Sequence, residues 1–159
     1  MDKKVKSLFK VQDTINKEDN NTHIVHKFQL DNTYKTLFIT FRYLPLFLDN
    51  EEKAKDIIFN AIDKYRSGVE LEQEKENWRE YLKLSNLLTL SFDDTNGFRG
   101  CAHRKNNNEV IVISSDKSST GMISGDIEKG EFKITMSVHA LVTDICEYSI
   151  QVDGEVLYD

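Results

Sequence analysis

The chain has 159 residues, 39% of them hydrophobic and 30% charged, as expected for one globular domain. Its 27 acidic and 21 basic residues give a net charge of −6, which opposes nucleic-acid binding, because phosphate neutralisation needs a clustered basic face. No apolar run approaches the roughly 20 residues of a membrane helix, and the opening MDKKVK lacks the apolar core of a signal peptide. We therefore expect a cytoplasmic protein with no membrane segment, in which both cysteines are reduced thiols.

Three strands are predicted before Pro45. A short strand falls within residues 1–12, and residues 23–30 are rich in β-branched and aromatic side chains. Residues 37–43 have apolar side chains at alternate positions, which is typical of a half-buried strand. Pro45, the single proline, ends this strand because it has no N–H for the ladder.

The pattern becomes helical in residues 51–66. Asp49 with Glu52 resembles a capping box at the start of this helix, and Gly68 is a natural residue just after its end. Six apolar residues recur at helical spacing and predict a stripe that faces the core: Ala54, Ile57, Ile58, Ala61, Ile62 and Tyr65.

Residues 70–83 are rich in helix formers and only weakly striped. Leu71, Trp78 and Leu82 would make one narrow apolar edge, so this segment is predicted to be a second helix or a partly mobile helical linker. Together the two helical segments form one helical insertion, at about residues 51–83, in an otherwise β chain.

From Asn86 onward the sequence alternates between strands and turns. Asn96-Gly97 supplies the positive φ of a hairpin turn, and Asp153-Gly154 predicts a turn before the terminus. We predict a mainly β fold, an antiparallel β-sandwich or jelly-roll-like domain that spans residues 1–159. Its strands in this half of the chain would lie at 88–92, 98–104, 110–113, 132–138 and 146–152.

The strand at Val110–Ile113 is a continuous apolar run. Such a run predicts a central strand that is covered on both faces. A long, polar, glycine-marked connection follows it, and we expect Met122 and Ile127 to anchor this connection in the core.

The candidate ligand-binding residues are Arg99, His103, Arg104 and His139. The histidines lie in strands that could be neighbours, and with the arginines they would form a basic patch for a carboxylate or phosphate. In the competing interpretation, each histidine holds a loop through a backbone carbonyl and the arginines pair with acidic residues. The sequence favours this second interpretation, and the acidic residues in question are Asp93, Asp94 and Glu109.

Other chemical motifs are weak. Cys101 and His103 would share one face of a strand, which suggests a thiol nucleophile, but a small half-buried cysteine is the commoner arrangement. His23 and His26 would face opposite sides of a strand and could not bind one metal together. No phosphate loop or zinc motif occurs. We therefore predict no catalytic residue, no metal site and no cofactor.

A series of short motifs stands out in the β-rich half of the chain. In chain order they are Asn96–Gly100, Ala102–Arg104, Thr120–Met122, Ser124–Gly125, Gly130-x-Phe132, Val138–Ala140 and Cys146-x-Tyr148. With these motifs the chain resembles the N-terminal β-domain of PHP-type metallohydrolases, named for polymerase and histidinol phosphatase. The resemblance covers most of residues 23–153. It departs from the family in a wide turn, where Ser, Asp and Glu replace prolines, and at Phe132, where a Trp is usual.

This resemblance implies an accessory β-domain of a metal-dependent phosphoesterase, without the His-x-His metal motif of the catalytic domain. We predict a non-catalytic interaction module for a PHP-type catalytic domain in the same or another chain, with an uncovered apolar patch near the helical insertion. One alternative is a free-standing module that binds a carbohydrate or a phosphorylated small molecule through the Arg/His patch. Another is an enzyme that uses Cys101 with His103 or His139.

Overall fold

The computed structural model describes residues 4–103 and 106–156. Within them, eight strands form two antiparallel sheets of four, which confirms the predicted β-sandwich with a small helical insertion. The strands are β1 (Val5–Asn16), β2 (His23–Leu30), β3 (Tyr34–Leu44), β4 (Leu87–Asp94), β5 (Gly97–Ala102), β6 (Asn108–Ser114), β7 (Gly130–Ala140) and β8 (Ile145–Val156). Their orders are β1-β8-β3-β6 in sheet A and β2-β7-β4-β5 in sheet B.

The core lies between the inner faces of the two sheets. The alternating residues predicted to face inward in the last two strands are all buried there, so each strand presents every second side chain to the core. Phe9 of β1 stacks on Phe28 of β2 with ring centroids 4.6 Å apart. This contact joins an edge strand of sheet A to an edge strand of sheet B. The buried residues of the last two strands are Phe132, Ile134, Met136, Val138, Cys146, Tyr148, Ile150 and Val152.

Strand β6 lies at the edge of sheet A, so the prediction of a central strand is wrong. Ile111 and Ile113 face the core, but Val110 is 58% exposed on the outer face. The outer edge of β6 pairs instead with the connection to β7: Ser119 N–H donates to the Val112 carbonyl at 2.8 Å, and the Ser119 hydroxyl accepts from Val112 N–H at 2.9 Å.

The connection, residues 115–129, also covers the edge of β5 in sheet B. Cys101 N–H donates to the Gly121 carbonyl, and Ile123 N–H donates to the Arg99 carbonyl at 2.8 Å. Gly100 permits this approach, because a Cβ there would lie 2.4 Å from the Gly121 oxygen. The connection therefore closes the β5/β6 side of the sandwich. Ile127 is buried and Met122 packs on the core, which confirms the two predicted anchors.

The predicted turn at Asp153-Gly154 is wrong, because both residues lie inside β8. Gly154 pairs with Lys6 of β1 and with Leu37 of β3. A Cβ on Gly154 would lie 2.6 Å from Cδ1 of Tyr34, so the glycine allows the tyrosine ring to cross the strand.

The helical insertion connects β3 of sheet A to β4 of sheet B. It contains α1 (Glu51–Tyr65), α2 (Gly68–Glu76) and a 3₁₀ turn (Trp78–Tyr81). None of the helices in the described residues is long and apolar enough to cross a membrane. The insertion has a small core of its own, which includes the predicted edge: Ile58, Phe59, Ile62, Leu71, Trp78, Leu82 and Leu84.

The start of α1 differs from the predicted capping box. Asn50, and not Asp49, is the N-cap, and its side chain accepts a hydrogen bond from Lys53 N–H at 3.0 Å. Gly68 has the positive φ of 62° expected of a helix-ending glycine, but it begins α2 instead of following α1 directly. The chain therefore turns sharply between the two helices.

Candidate functional site

Arg99 of β5 is held in a buried network. Its Nη1 donates to Asp94 Oδ2 at 2.7 Å and to the Asp126 carbonyl at 3.1 Å. Its Nε and Nη2 donate to the Ile123 carbonyl, and Nη2 also donates to the Gly125 carbonyl at 2.7 Å. All five N–H donors of the guanidinium are therefore used within the chain. Arg99 thus has the arrangement of the competing interpretation: it pairs with Asp94 and holds the connection.

His103 and His139 are brought together on the outer face of sheet B. Their ring centroids are 6.4 Å apart, and both residues are exposed. The strands that carry them are not neighbours, because β4 lies between β5 and β7. Thr89 of β4 contacts one ring of this pair, with its Oγ1 2.7 Å from His139 Nε2. Arg104, the fourth predicted residue, lies outside the described residues. Of the three candidates that the structure describes, His103 and His139 converge.

Further polar residues extend this patch. His23 of β2 lies opposite Ser137 of β7, with its Nδ1 2.8 Å from the serine Oγ. Ser137 lies in turn opposite Thr89. Three of the four histidines, with two hydroxyl side chains, thus form one band across the outer face. Sequence reasoning missed Thr89 and Ser137, because only the strand register shows that they lie beside the histidines.

His26 faces inward, on the side of β2 opposite to His23, as predicted. Its Nε2 lies 3.0 Å from the Tyr148 hydroxyl oxygen, and its ring is tilted against Phe9 at a centroid distance of 6.0 Å. Burial lowers the pKa of His26, and the nearby charge of Asp13 only partly opposes this effect. The neutral imidazole is therefore favoured between the sheets.

Cys101 lines a cavity of about 690 Å³ between β5, β6 and the connection. His103 and Glu109 line the same cavity, which therefore holds a thiol, an imidazole and a carboxylate. Among the residues that the structure describes, no three His, Cys, Asp or Glu side chains lie close enough together to hold a metal ion. The other cysteine, Cys146, is buried in the core, and burial raises its thiol pKa to about 11, so it is not a thiolate at neutral pH.

A second candidate surface is an apolar groove in the helical insertion, with a volume of about 350 Å³. Its floor includes the buried residues Ile58 and Ile62, and Tyr65 at its rim is 68% exposed. The Tyr81 hydroxyl, also at the rim, donates to the Glu74 carboxylate. The groove lies where the sequence predicts an uncovered apolar patch. Its remaining lining residues are Ile57, Ala61, Arg66 and Leu84.

Comparisons with known proteins do not assign the chain to a family. No protein-family model matches it, and neither does any curated protein. Among solved structures, a protein from Sulfurospirillum deleyianum aligns with a TM-score of 0.31 and 6% sequence identity, over 89% of this chain and 96% of that chain. A similarity this low identifies neither a shared fold nor a shared function.

Proposed function

We propose that this protein is a non-catalytic interaction module and that the groove of the helical insertion is its binding surface. The groove is the observation that carries the proposal. It combines an aliphatic floor with tyrosine and arginine at the rim, the composition that protein interfaces favour. The two sheets of the sandwich can form without the helical insertion, so the insertion adds a surface that the sandwich alone lacks.

The floor of the groove is packed against the core of the insertion. Ile58 and Ile62 are 5% and 6% exposed and pack with Trp78 in the core of the insertion. Two salt bridges lie beside the groove. One joins α2 to α1, from Lys75 to Asp63 at 2.6 Å, and the other joins Arg66 to Glu70 at 3.0 Å. A preformed surface loses less conformational entropy on binding, so more of the apolar contact appears as affinity.

The partner that we propose is a PHP-type metallophosphoesterase domain, which would dock an apolar side chain in this groove. This choice rests on the resemblance of Asn96–Gly100 and the following motifs to the β-domain of that family. Any hydrolysis would then reside in the partner, and this module would position it or its substrate.

The test uses a substitution that fills the groove. Ala61 is exposed and lines the groove, so Ala61→Arg adds bulk and charge there without disturbing the core. Asn60→Arg places the same side chain on the next position of α1, about 100° around the helix, and is the matched control. Binding to a PHP-type catalytic domain from the same genome is measured by calorimetry, together with the phosphoesterase rate of that domain.

We expect Ala61→Arg to weaken binding at least about tenfold, or about 1.4 kcal/mol, because a central apolar contact is lost. Asn60→Arg should bind like the unmodified protein. The proposal fails if the unmodified protein neither binds the catalytic domain nor changes its rate, or if both variants bind equally well.

A second candidate function is supported by the contact between His103 and His139. We propose as the alternative that this pair, in which Thr89 holds His139, binds a small anionic ligand on sheet B. His103→Ala with His139→Ala should abolish such binding, whereas His26→Leu, inside the sandwich, should leave it unchanged. Ligand-induced shifts of the histidine ring signals in NMR spectra would distinguish direct contact from a distant effect.

A further inference from the structure

The outer face of sheet A carries a polar recess that the sequence patterns do not suggest. Its volume is about 340 Å³, and six polar side chains line it. The register places them in two consecutive rows across β1, β8 and β3. One row contains Lys10, Gln151 and Thr40, and the next contains Gln12, Ser149 and Arg42.

The charge of this recess is opposite to that of the whole chain. Two of its six polar side chains are cations and none is acidic, although the net charge of the chain is −6. Eight cations elsewhere lie in ion pairs with carboxylates. Within residues 4–103 and 106–156, neither Lys10 nor Arg42 lies in such a pair. Both therefore keep charge available for an anion.

The arrangement of the two cations sets the size of the ligand. Lys10 and Arg42 lie two strands and one row apart, which corresponds to about 12 Å between their Cα atoms. Ser149 and Gln151 lie between them on β8, and both are half-buried. Arg42 Nε donates to Asn108 Oδ1 at 3.0 Å, which orients the guanidinium and leaves its terminal nitrogens for other acceptors.

We propose that this recess binds a small hydroxylated anion, with a sugar phosphate as the ligand class. Lys10 and Arg42 would bind the phosphate oxygens, since an arginine fork and a lysine ammonium both form charge-assisted hydrogen bonds with phosphate. The Gln12 amide, the Ser149 hydroxyl and the Gln151 amide oxygen would bind the sugar hydroxyls. The Gln151 Nε2 already donates to the Asp153 carboxylate at 3.3 Å. Two cations are too few for a nucleic-acid backbone, which needs a longer basic track.

The outer face of an antiparallel sheet is often polar simply because water covers it. Sheet B shows that ordinary arrangement, because its outer face mixes both signs and pairs Lys133 with Asp93. The side chains that line the recess on sheet A include cations only, and the carboxylates of Glu147 and Asp153 lie in the rows on either side of it. Two cations without an ion pair among the described residues, on either side of half-buried Ser149 and Gln151, favour a ligand site over a solvated face.

The experiment titrates the protein with glucose 6-phosphate at millimolar concentrations and follows backbone amide signals by NMR. Glucose and inorganic phosphate are titrated in parallel, and sodium sulfate at matched ionic strength is the salt control. Lys10→Gln with Arg42→Gln removes both cations of the recess. Lys27→Gln with Lys129→Gln changes the net charge equally at exposed sites away from it.

We expect saturable shifts at the amides of Thr40, Ser149 and Gln151, with glucose 6-phosphate binding more tightly than phosphate or glucose. The double variant at Lys10 and Arg42 should bind at least about tenfold more weakly, because two charge-assisted contacts are lost. The lysine control should bind as before.

Three results would overturn the proposal. One is the absence of saturation in the unmodified protein, a measurement that does not depend on any variant folding. Another is equal affinity in the Lys10/Arg42 variant, provided that its amide spectrum remains dispersed. The third is the loss of binding in the His103/His139 variant only, which would move the site to sheet B.

Discussion

Replacement of Arg99 by methionine removes the side chain that joins β5 to the connection. Methionine keeps much of the length and apolar bulk of the stem but donates none of the five hydrogen bonds. Asp94, whose side chain is 2% exposed, would keep its bond from Asn96 N–H at 2.8 Å but lose its cation. The carbonyls of Ile123 and Gly125 would also lose their donors.

The expected cost is large because one buried charge stays behind without its partner. Removing one member of a buried ion pair costs about 3–5 kcal/mol, and for a chain of this length that lowers Tm by about 10 °C. Urea unfolding followed by circular dichroism measures the free energy directly. Asp94→Asn combined with Arg99→Met should cost less than the sum of the two single changes, since the uncompensated charge is gone.

A ligand-binding role for Arg99 predicts a different pattern. The variant would then lose binding but keep nearly all of its stability. A loss of less than about 1 kcal/mol for Arg99→Met, or strict additivity in the double variant, would refute the structural role that we assign to the pair.

Three further predictions concern single positions. Burial lowers the folded-state pKa of His26, so near and below pH 6.5 the unfolded chain binds more protons than the folded chain. The free energy of unfolding should therefore fall as the pH drops from 6.5 toward the folded-state pKa of His26. His26→Leu should remove this dependence of Tm on pH in thermal scans. Asn50→Ala should lower the free energy of unfolding in urea by about 1 kcal/mol, because it removes the N-cap of α1, whereas Asp49→Ala should leave it unchanged. A loss for Asp49→Ala only would support the capping box predicted from sequence instead. Gly154→Ala should cost about 1–3 kcal/mol, because its Cβ would clash with a tyrosine ring 2.6 Å away; an unchanged urea midpoint would contradict this packing.

Much of the fold can be predicted from local patterns. Period-two alternation identifies the inward residues of β7 and β8, because each side chain's face follows directly from the pleat. The helical stripe of α1 is confirmed only in part: Ala54, Ile58 and Ile62 are buried, whereas Ala61 and Tyr65 are exposed. In β7 and β8 the local pattern and the tertiary structure therefore agree.

Position within a sheet is not a local property. Val110–Ile113 has the composition of a central strand, yet β6 lies at an edge whose outer side is bonded by Ser119. Asp153-Gly154 has the chemistry of a turn, yet the need to accommodate Tyr34 places the glycine within a strand. Both errors arise because distant residues, and not neighbours in sequence, determine the outcome.

The candidate site shows the same division. Sequence identifies His103 and His139 as a pair, but only the register reveals that Thr89 lies between them. The sequence does not show how the two arginines differ. The hydrogen-bond donors of Arg99 are all used within the chain, whereas Arg42 forms no ion pair among the described residues. Because register is set by the whole sheet, the recess on sheet A has no motif by which to find it.

The connection 115–129 makes the two sides of the sandwich unequal. It occupies the backbone edges of β5 and β6, whereas the outer edges of β1 and β2 have no strand partner among the described residues. Strand pairing between copies could therefore begin on one side only. A molecule with one such side can form a two-fold pair but cannot propagate into a fibril, since each added copy presents a blocked edge to the next. The hydrogen bonds of this segment with β5 and β6 thus limit where a further strand could pair.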